Sequence, residues 1–383
     1  MTLGHALAHS DDLIEDKWSS KMPVNFIGYI GFNNTSEIHA GTRSRALDTQ
    51  YVRDALDVQE KGGFDRVLIP FGSNSPESQI VAAYGAALTM RLGFLVAHRP
   101  GFTQPTLAAR QLATLDQLSR GRVAVHIITG GADSEMARDG DVGTTKAERY
   151  ARSDEYLDIL RQEWTARTPF DHDGKFYHIR QAFSSLHPQN LPVFFGGTSP
   201  EAIEVAGRHA DVYATWGESL DATRDVVTRV RAAAARHGRR IGFSLSLRPV
   251  IADTEAVAWK RAAEIEEQVR ANREAEGLPI TGHRPPNDGS LRLLETAKRN
   301  RQDTRLWTGV AALTGAAGNS TGLVGTPEQV AESLLDYYRL GIDNFLIRGF
   351  EPLEDARRYG EQLIPLVRER VAALDAQPER QAG

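Results

Sequence analysis

The feature that most restricts this chain is a regular alternation: a short, nearly continuous apolar run followed by a longer amphipathic stretch, repeated eight times. The apolar runs fall at 24–32, 66–69, 91–97, 122–128, 191–195, 211–216, 242–251 and 344–348, and each reads as a buried strand. Helix-period stretches follow at 49–61, 76–89, 104–118, 146–166, 200–208 and 222–237, with two more at 327–340 and 353–373. A chain of 383 residues could hold two domains at ~150 residues each, but a barrel domain with insertions can run past ~400. Eight strand-then-helix units without a second core-sized block predict one (β/α)8 TIM barrel rather than a doubly wound sheet. The expected organisation is a flexible extension at 1–22, a single barrel domain at 23–375 and a tail at 376–383. One stretch breaks the alternation. About ninety residues separate strands seven and eight, with a charged helix at 254–277, a Gly/Pro/Asn-rich loop at 281–290, then Arg292, Lys298, Arg299, Arg301 and Arg305. This insertion, about 253–325, reads either as a solvated excursion or as a lid beside the active face of the barrel.

Composition removes several alternatives. With 45 Lys+Arg against 50 Asp+Glu, the net charge of −5 gives no reason to expect nucleic acid or an anionic membrane as partner. No cysteine is present, so a disulfide framework, a thiolate metal site and a cysteine nucleophile are out. The first twenty residues mix Asp11, Asp12, Glu15, Asp16 and Lys17 among short apolar pieces, unlike a signal peptide or membrane span. A cytoplasmic enzyme is the expectation.

Among 34 glycines no two are separated by one residue, which excludes the Rossmann and kinase glycine loops; no P-loop occurs either. His5 and His9 lack the Glu of a zinc-protease motif, and no metal site is expected. Gly318-Asn319-Ser320-Thr321-Gly322 matches a nucleophile elbow, but the last histidine, His283, lies upstream, so the order serine, acid, histidine cannot be completed. The informative residues lie where strands end. Strand four runs into Thr129-Gly130-Gly131, strand five into Gly196-Gly197-Thr198-Ser199-Pro200, strand six into Thr215-Trp216-Gly217-Glu218. Glycines and small hydroxyls opening into a helix N-terminus can make a donor-rich pocket for a phosphate, although singly each is an ordinary capped turn.

These residues carry a resemblance. Phe94-Leu95-Val96-Ala97-His98-Arg99-Pro100, Pro105-Thr106-Leu107-Ala108-Ala109-Arg110-Gln111 and Ala113-Thr114-Leu115-Asp116 belong to it, with Glu148-Arg149-Tyr150, Phe194-Phe195-Gly196-Gly197 and Gly341-Ile342-Asp343. From about residue 25 to 374 the chain resembles the bacterial-luciferase-like flavin monooxygenases, and among them the two-component alkanesulfonate monooxygenases. The resemblance implies an enzyme that takes reduced FMN from a separate NAD(P)H-dependent FMN reductase. With dioxygen, such enzymes cleave an alkanesulfonate to aldehyde and sulfite. It implies that Tyr150, Gly197, Thr198 and Ser199 hold the FMN phosphate, while Ala97, His126, Thr129 and Gly130 border the ring system. His126 stands where the family usually has Asn. A homodimer or homotetramer is also implied.

The departures concern the substrate. Sulfonate-cleaving members carry an Arg-x-His pair at the end of strand seven, replaced here by Ser246 and Arg248. The family arginine in the insertion is Thr314, and the Ser-Gly-Tyr-Pro-His near strand eight is Arg348-Gly349-Phe350-Glu351-Pro352. An early histidine is Asn33 and a cysteine after strand two is Ser75. Two arginines are lost and two gained at the rim, so Arg248 and Arg348 are the candidate catalytic residues, with Asn33, Ser75, Trp216 and Phe350 as candidate substrate contacts. Arg offers a bidentate fork to an oxyanion. The alternative is an ion pair of these arginines with Glu218, Glu351 or Asp343. The expected activity is oxygenative C–S cleavage of an anionic organosulfonate. A same-family oxygenase for another substrate, an F420-dependent oxidoreductase and a non-catalytic flavin-binding protein remain rivals.

Overall fold

The computed structural model describes residues 23–39, 46–280, 288–298, 301–316, 318 and 320–376. The expected extension at 1–22, the tail beyond 376 and Pro285-Pro286 lie outside the described residues. Eight parallel strands close into a barrel: β1 (Asn25–Tyr29), β2 (Arg66–Ile69), β3 (Gly93–His98), β4 (Val123–Ile127), β5 (Val193–Gly196), β6 (Val212–Trp216), β7 (Gly242–Ile251) and β8 (Asn344–Ile347). Each pairs with its neighbours in chain order, and β8 returns to pair with β1, Phe26 opposite Phe345. Helices cover the outer face, which is why every residue of β3 is buried.

Local chemistry places the helices. Asp48 caps Thr49–Lys61 by accepting from the amides of Gln50 and Tyr51. Thr145 with Glu148, and Thr326 with Gln329, form reciprocal capping boxes at Lys146–Thr165 and Pro327–Arg339. Ser199 caps Pro200–His209 and Ser219 caps Leu220–Arg236. Between β4 and β5 an antiparallel hairpin, Phe170–Asp173 with His178–Ala182, was not foreseen from the sequence. Its residues are mostly half-buried or exposed and carry little apolar periodicity.

The helix expected continuously over 353–373 is interrupted. Pro352–Arg358 passes through a five-residue π-helical turn, Tyr359–Leu363, into Ile364–Asp375. Pro365 has no amide hydrogen and its ring crowds the carbonyl four residues back, so the ladder widens there. Gly360 within the turn lies against Gly62, whose Cα would be 2.4 Å from any Cβ added at Gly360.

β7 is longer than its neighbours. Its first half pairs with β6 and β8, Leu247 opposite Ile347, where β8 ends. Its outer half pairs in parallel with Gly322–Gly325, Arg248 opposite Gly322. That strand joins Leu306–Trp307 and Arg301–Gln302 in a small side sheet. Helices Glu255–Ala275, Asp288–Ala297 and Gly309–Thr314 complete the stretch between β7 and β8. It has a core of its own, in which Val250 and Val324 meet Ala258, Ala262, Ile265, Val269, Trp307, Val310 and Phe350. No described helix is long and apolar enough to cross a membrane.

Three contacts fasten this stretch to the loop after β6. Arg292 grips Glu218 with two hydrogen bonds of 2.7 and 3.1 Å. Asp303 accepts from the Leu220 amide at 2.8 Å, and Thr321 donates to the Gly217 carbonyl at 2.7 Å. Glu218 is buried, so removing its guanidinium leaves a desolvated carboxylate. Arg292→Ala should therefore speed limited proteolysis between β7 and β8 while leaving the far-UV signature of the barrel intact. Unchanged cleavage would mean that the ion pair does not hold the segment.

Candidate active site

Side chains two residues apart on a strand share a face. The barrel interior is closed by Ile27, Leu68, Leu95, Ala124, Phe194, Val212 and Leu346, packed together. One step nearer the C-terminal rim, the same faces present Tyr29, Ala97, His126, Gly196 and Arg348. Ala97 and His126 are direct neighbours across β3 and β4. The mouth of the barrel then divides into two chemically different halves.

The half over β3–β6 gathers the residues named for the flavin. His126 Nδ1 is buried without a hydrogen-bond partner among the described residues, and burial pushes the ring down to about 4, so it stays neutral. Thr198 Oγ1 is likewise buried and without a partner. Gly130 has φ 106° and Gly197 φ 128°, a region unfavourable for residues with a Cβ. A Cβ on Gly130 would meet Met136 Sδ at 2.3 Å, and one on Gly197 would meet Tyr150 Oη at 2.9 Å. Tyr150, Gly197, Thr198 and Ser199 thus converge at the N-terminus of helix Pro200–His209. There free amides and the helix dipole favour an anion. Two orphaned polar atoms beside a glycine-formed cradle fit a phosphate-bearing flavin.

The half over β1, β2 and β8 is a cavity of about 880 Å³. It brings together Asn33, Ser75, Arg248 and Arg348, and Thr314 from the segment above. Trp216 does not line it; it packs against Leu293, Ala311 and Ala316 of the segment between β7 and β8. Phe350 is fully buried and supports Arg248, whose guanidinium carbon lies 3.5 Å from the ring centroid.

Arg248 and Arg348 do converge on one anion, and that anion belongs to the protein. Arg248 Nη1 donates to Glu37 Oε1 at 2.7 Å and Arg348 Nη2 to the same oxygen at 3.2 Å. Arg248 is 1 % exposed and also donates to the Gly349 carbonyl at 2.8 Å. Burial alone would raise the Glu37 carboxyl, but the two guanidiniums outweigh it and hold it down at about 2. The carboxylates considered from the sequence are engaged elsewhere. Glu218 binds Arg292, Glu351 meets His39 at 2.5 Å, and Asp343 accepts from the Phe243 amide and Asn344. Glu37 stands in a polar loop with no motif around it, so no local sequence signal marks it.

The family model described as luciferase-like monooxygenase matches residues 24–344. The chain belongs to the luciferase-like monooxygenase family. Enzymes of this family are flavin-dependent monooxygenases. Solved structures with the same fold include a riboflavin lyase with modified FMN and riboflavin. It has 21% identity, coverage of 91% of this chain and 92% of that one, and a TM-score of 0.75. The EDTA monooxygenase of Chelativorans sp. BNC1 has 22% identity, covers 91% and 94%, and gives 0.74. DmoA of Hyphomicrobium sulfonivorans has 21% identity, covers 91% and 88%, and gives 0.72.

Two consequences for this luciferase-like monooxygenase can be measured. Tyr150→Phe and Ser199→Ala should each weaken FMN binding by about 1.5–3 kcal/mol, the scale of a hydrogen bond to a charged acceptor. Riboflavin, which has no phosphate, should bind these variants and the wild type alike; an equal loss for riboflavin would mean a fold-supporting role. His126 and His98 are both pushed down to about 4 by burial from 6.5. The folded state thus binds fewer protons than the unfolded one between these values, and stability falls as pH drops from 6.5 towards 4. His126→Asn should remove part of that fall in Tm, and an unchanged pH profile would show that His126 is not held neutral.

Proposed function

We propose that this protein is the oxygenase of a two-component system, cleaving the C–S bond of an alkanesulfonate or related organosulfonate to an aldehyde and sulfite. Reduced FMN would come from a separate NAD(P)H-dependent reductase. The observation that supports a sulfonate is charge: Arg248, Arg348 and Glu37 together carry net positive charge on the wall of the 880 Å³ cavity. Guanidinium groups match the oxygens of a sulfonate in geometry as well as sign.

Reduced FMN, when bound, supplies the electrons that activate dioxygen. Tyr150, Thr198 and Ser199 would hold its phosphate, and the backbone at Gly130 and Gly197 would let it lie close. His126, neutral at physiological pH, can donate or accept one hydrogen bond at the ring edge. Arg348 would orient the substrate anion, while the helices between β7 and β8 exclude water from the mouth.

A second reading is favoured by Glu37. Because it neutralises buried Arg248, the cavity is less cationic than two rim arginines suggest, and a non-sulfonate substrate for the same oxygenase chemistry follows. One assay separates the two. The protein is incubated with an FMN reductase, NADH and a panel of alkanesulfonates, and sulfite is measured. Arg348 is the cleaner probe, since Arg248 is buried in the fold. Arg348→Ala should cost about 2–4 kcal/mol in kcat/KM with FMN affinity unchanged. Flavin oxidation without sulfite from any member of the panel would select the second reading.

A further inference from the structure

Glu37 does more than balance charge. It lies on the loop after β1, and its main-chain carbonyl accepts from Asn272 Nδ2 of helix Glu255–Ala275 at 3.0 Å, which holds it from behind. Both arginines contact its Oε1, while Oε2 makes no hydrogen bond among the described residues. The side chain is 28 % exposed and forms part of the cavity wall. Arg248, stacked on Phe350 and bonded to Gly349, has 1 % of its side chain accessible; Arg348, stacked on Tyr29 at 4.9 Å, keeps 24 %. A ligand entering here meets a guanidinium and a carboxylate oxygen side by side.

We propose that Glu37 is a specificity-determining residue that selects the charge of the substrate. The site takes a short organosulfonate that carries a hydrogen-bond donor or positive charge close to its anionic group. The sulfonate lies against Arg348 and the donor against Glu37 Oε2. A second anionic group in that place is repelled. The physical basis is that a fixed like charge in a partly desolvated site costs far more than in water, and an opposite charge gains correspondingly. This inference rests on the sulfonate reading above.

The test compares three ligands of similar length that differ at the far end: 2-aminoethanesulfonate (cationic), propane-1-sulfonate (neutral) and ethane-1,2-disulfonate (anionic). Binding is measured by calorimetry on the full chain, anaerobically and saturated with reduced FMN, so that no turnover is needed. The wild type should bind them in that order of decreasing affinity. Glu37→Gln should reverse the preference between the aminosulfonate and the disulfonate, with a relative change of at least about tenfold. Glu37→Asp, which keeps the charge, should preserve the order. If the Gln variant does not fold, the wild-type order and the Asp variant still decide. Sulfonates bound by the wild type in another order, or an order unchanged in Glu37→Gln, overturn the role of Glu37 alone. Failure of all three to bind the wild type overturns the sulfonate reading and the inference built on it.

Discussion

A guanidinium that is 1 % exposed is the constraint on which the mouth of this barrel is built. Taking Arg248 out of water costs several kcal/mol unless its charge and donors are met by the protein. Three separate pieces of chain meet the charge and two of the donors, Nε staying without a partner among the described residues: Glu37 from the loop after β1, the Gly349 carbonyl from the turn after β8, and the Phe350 ring beneath. That turn is itself pinned by Asp355, which accepts from the amides of Phe350 and Glu351 and pairs with Arg261 of helix Glu255–Ala275. Gly349 leaves no room for a side chain there, since a Cβ would sit 2.0 Å from that of Asp355. The loop after β1, the turn after β8 and the segment between β7 and β8 therefore meet around one buried ion pair.

The two halves of the mouth are prepared in opposite ways. Around Arg248 both guanidiniums are paired with Glu37, although Arg248 Nε is buried without a partner among the described residues. Over β3–β6, His126 Nδ1 and Thr198 Oγ1 are buried with no partner among the described residues. Such orphaned groups are uncommon and destabilising, and a bound group that bonds to them recovers that energy on binding.

Much of this was legible in the chain. Helix Thr49–Lys61 and strands β2 and β7 have the bounds expected of them, because caps and apolar runs act locally. That Tyr150, Gly197, Thr198 and Ser199 come together at one helix start was expected from the resemblance and from glycines where strands end. Arg248 and Arg348 were legible as rim arginines converging on one anion, but their counter-ion was not. The carboxylates weighed were close in sequence to the rim motifs, whereas Glu37 lies 211 residues from Arg248. The side-sheet strands Arg301–Gln302 and Leu306–Trp307, two residues each, are too short to show any periodicity.

By itself the sequence determined the barrel, since eight apolar runs separated by amphipathic helices can bury their surface in few other ways. It also marked the ends of strands four, five and six, where glycine and small hydroxyl residues replace apolar ones. Only the tertiary structure decided which charges face the cavity. Ion pairing depends on distances of a few ångströms between groups hundreds of residues apart, and no local pattern encodes it. Arg248 and Arg348, two residues of one type on neighbouring strands, differ for that reason. One is enclosed by Glu37, Gly349 and Phe350, and the other keeps part of its surface on the cavity.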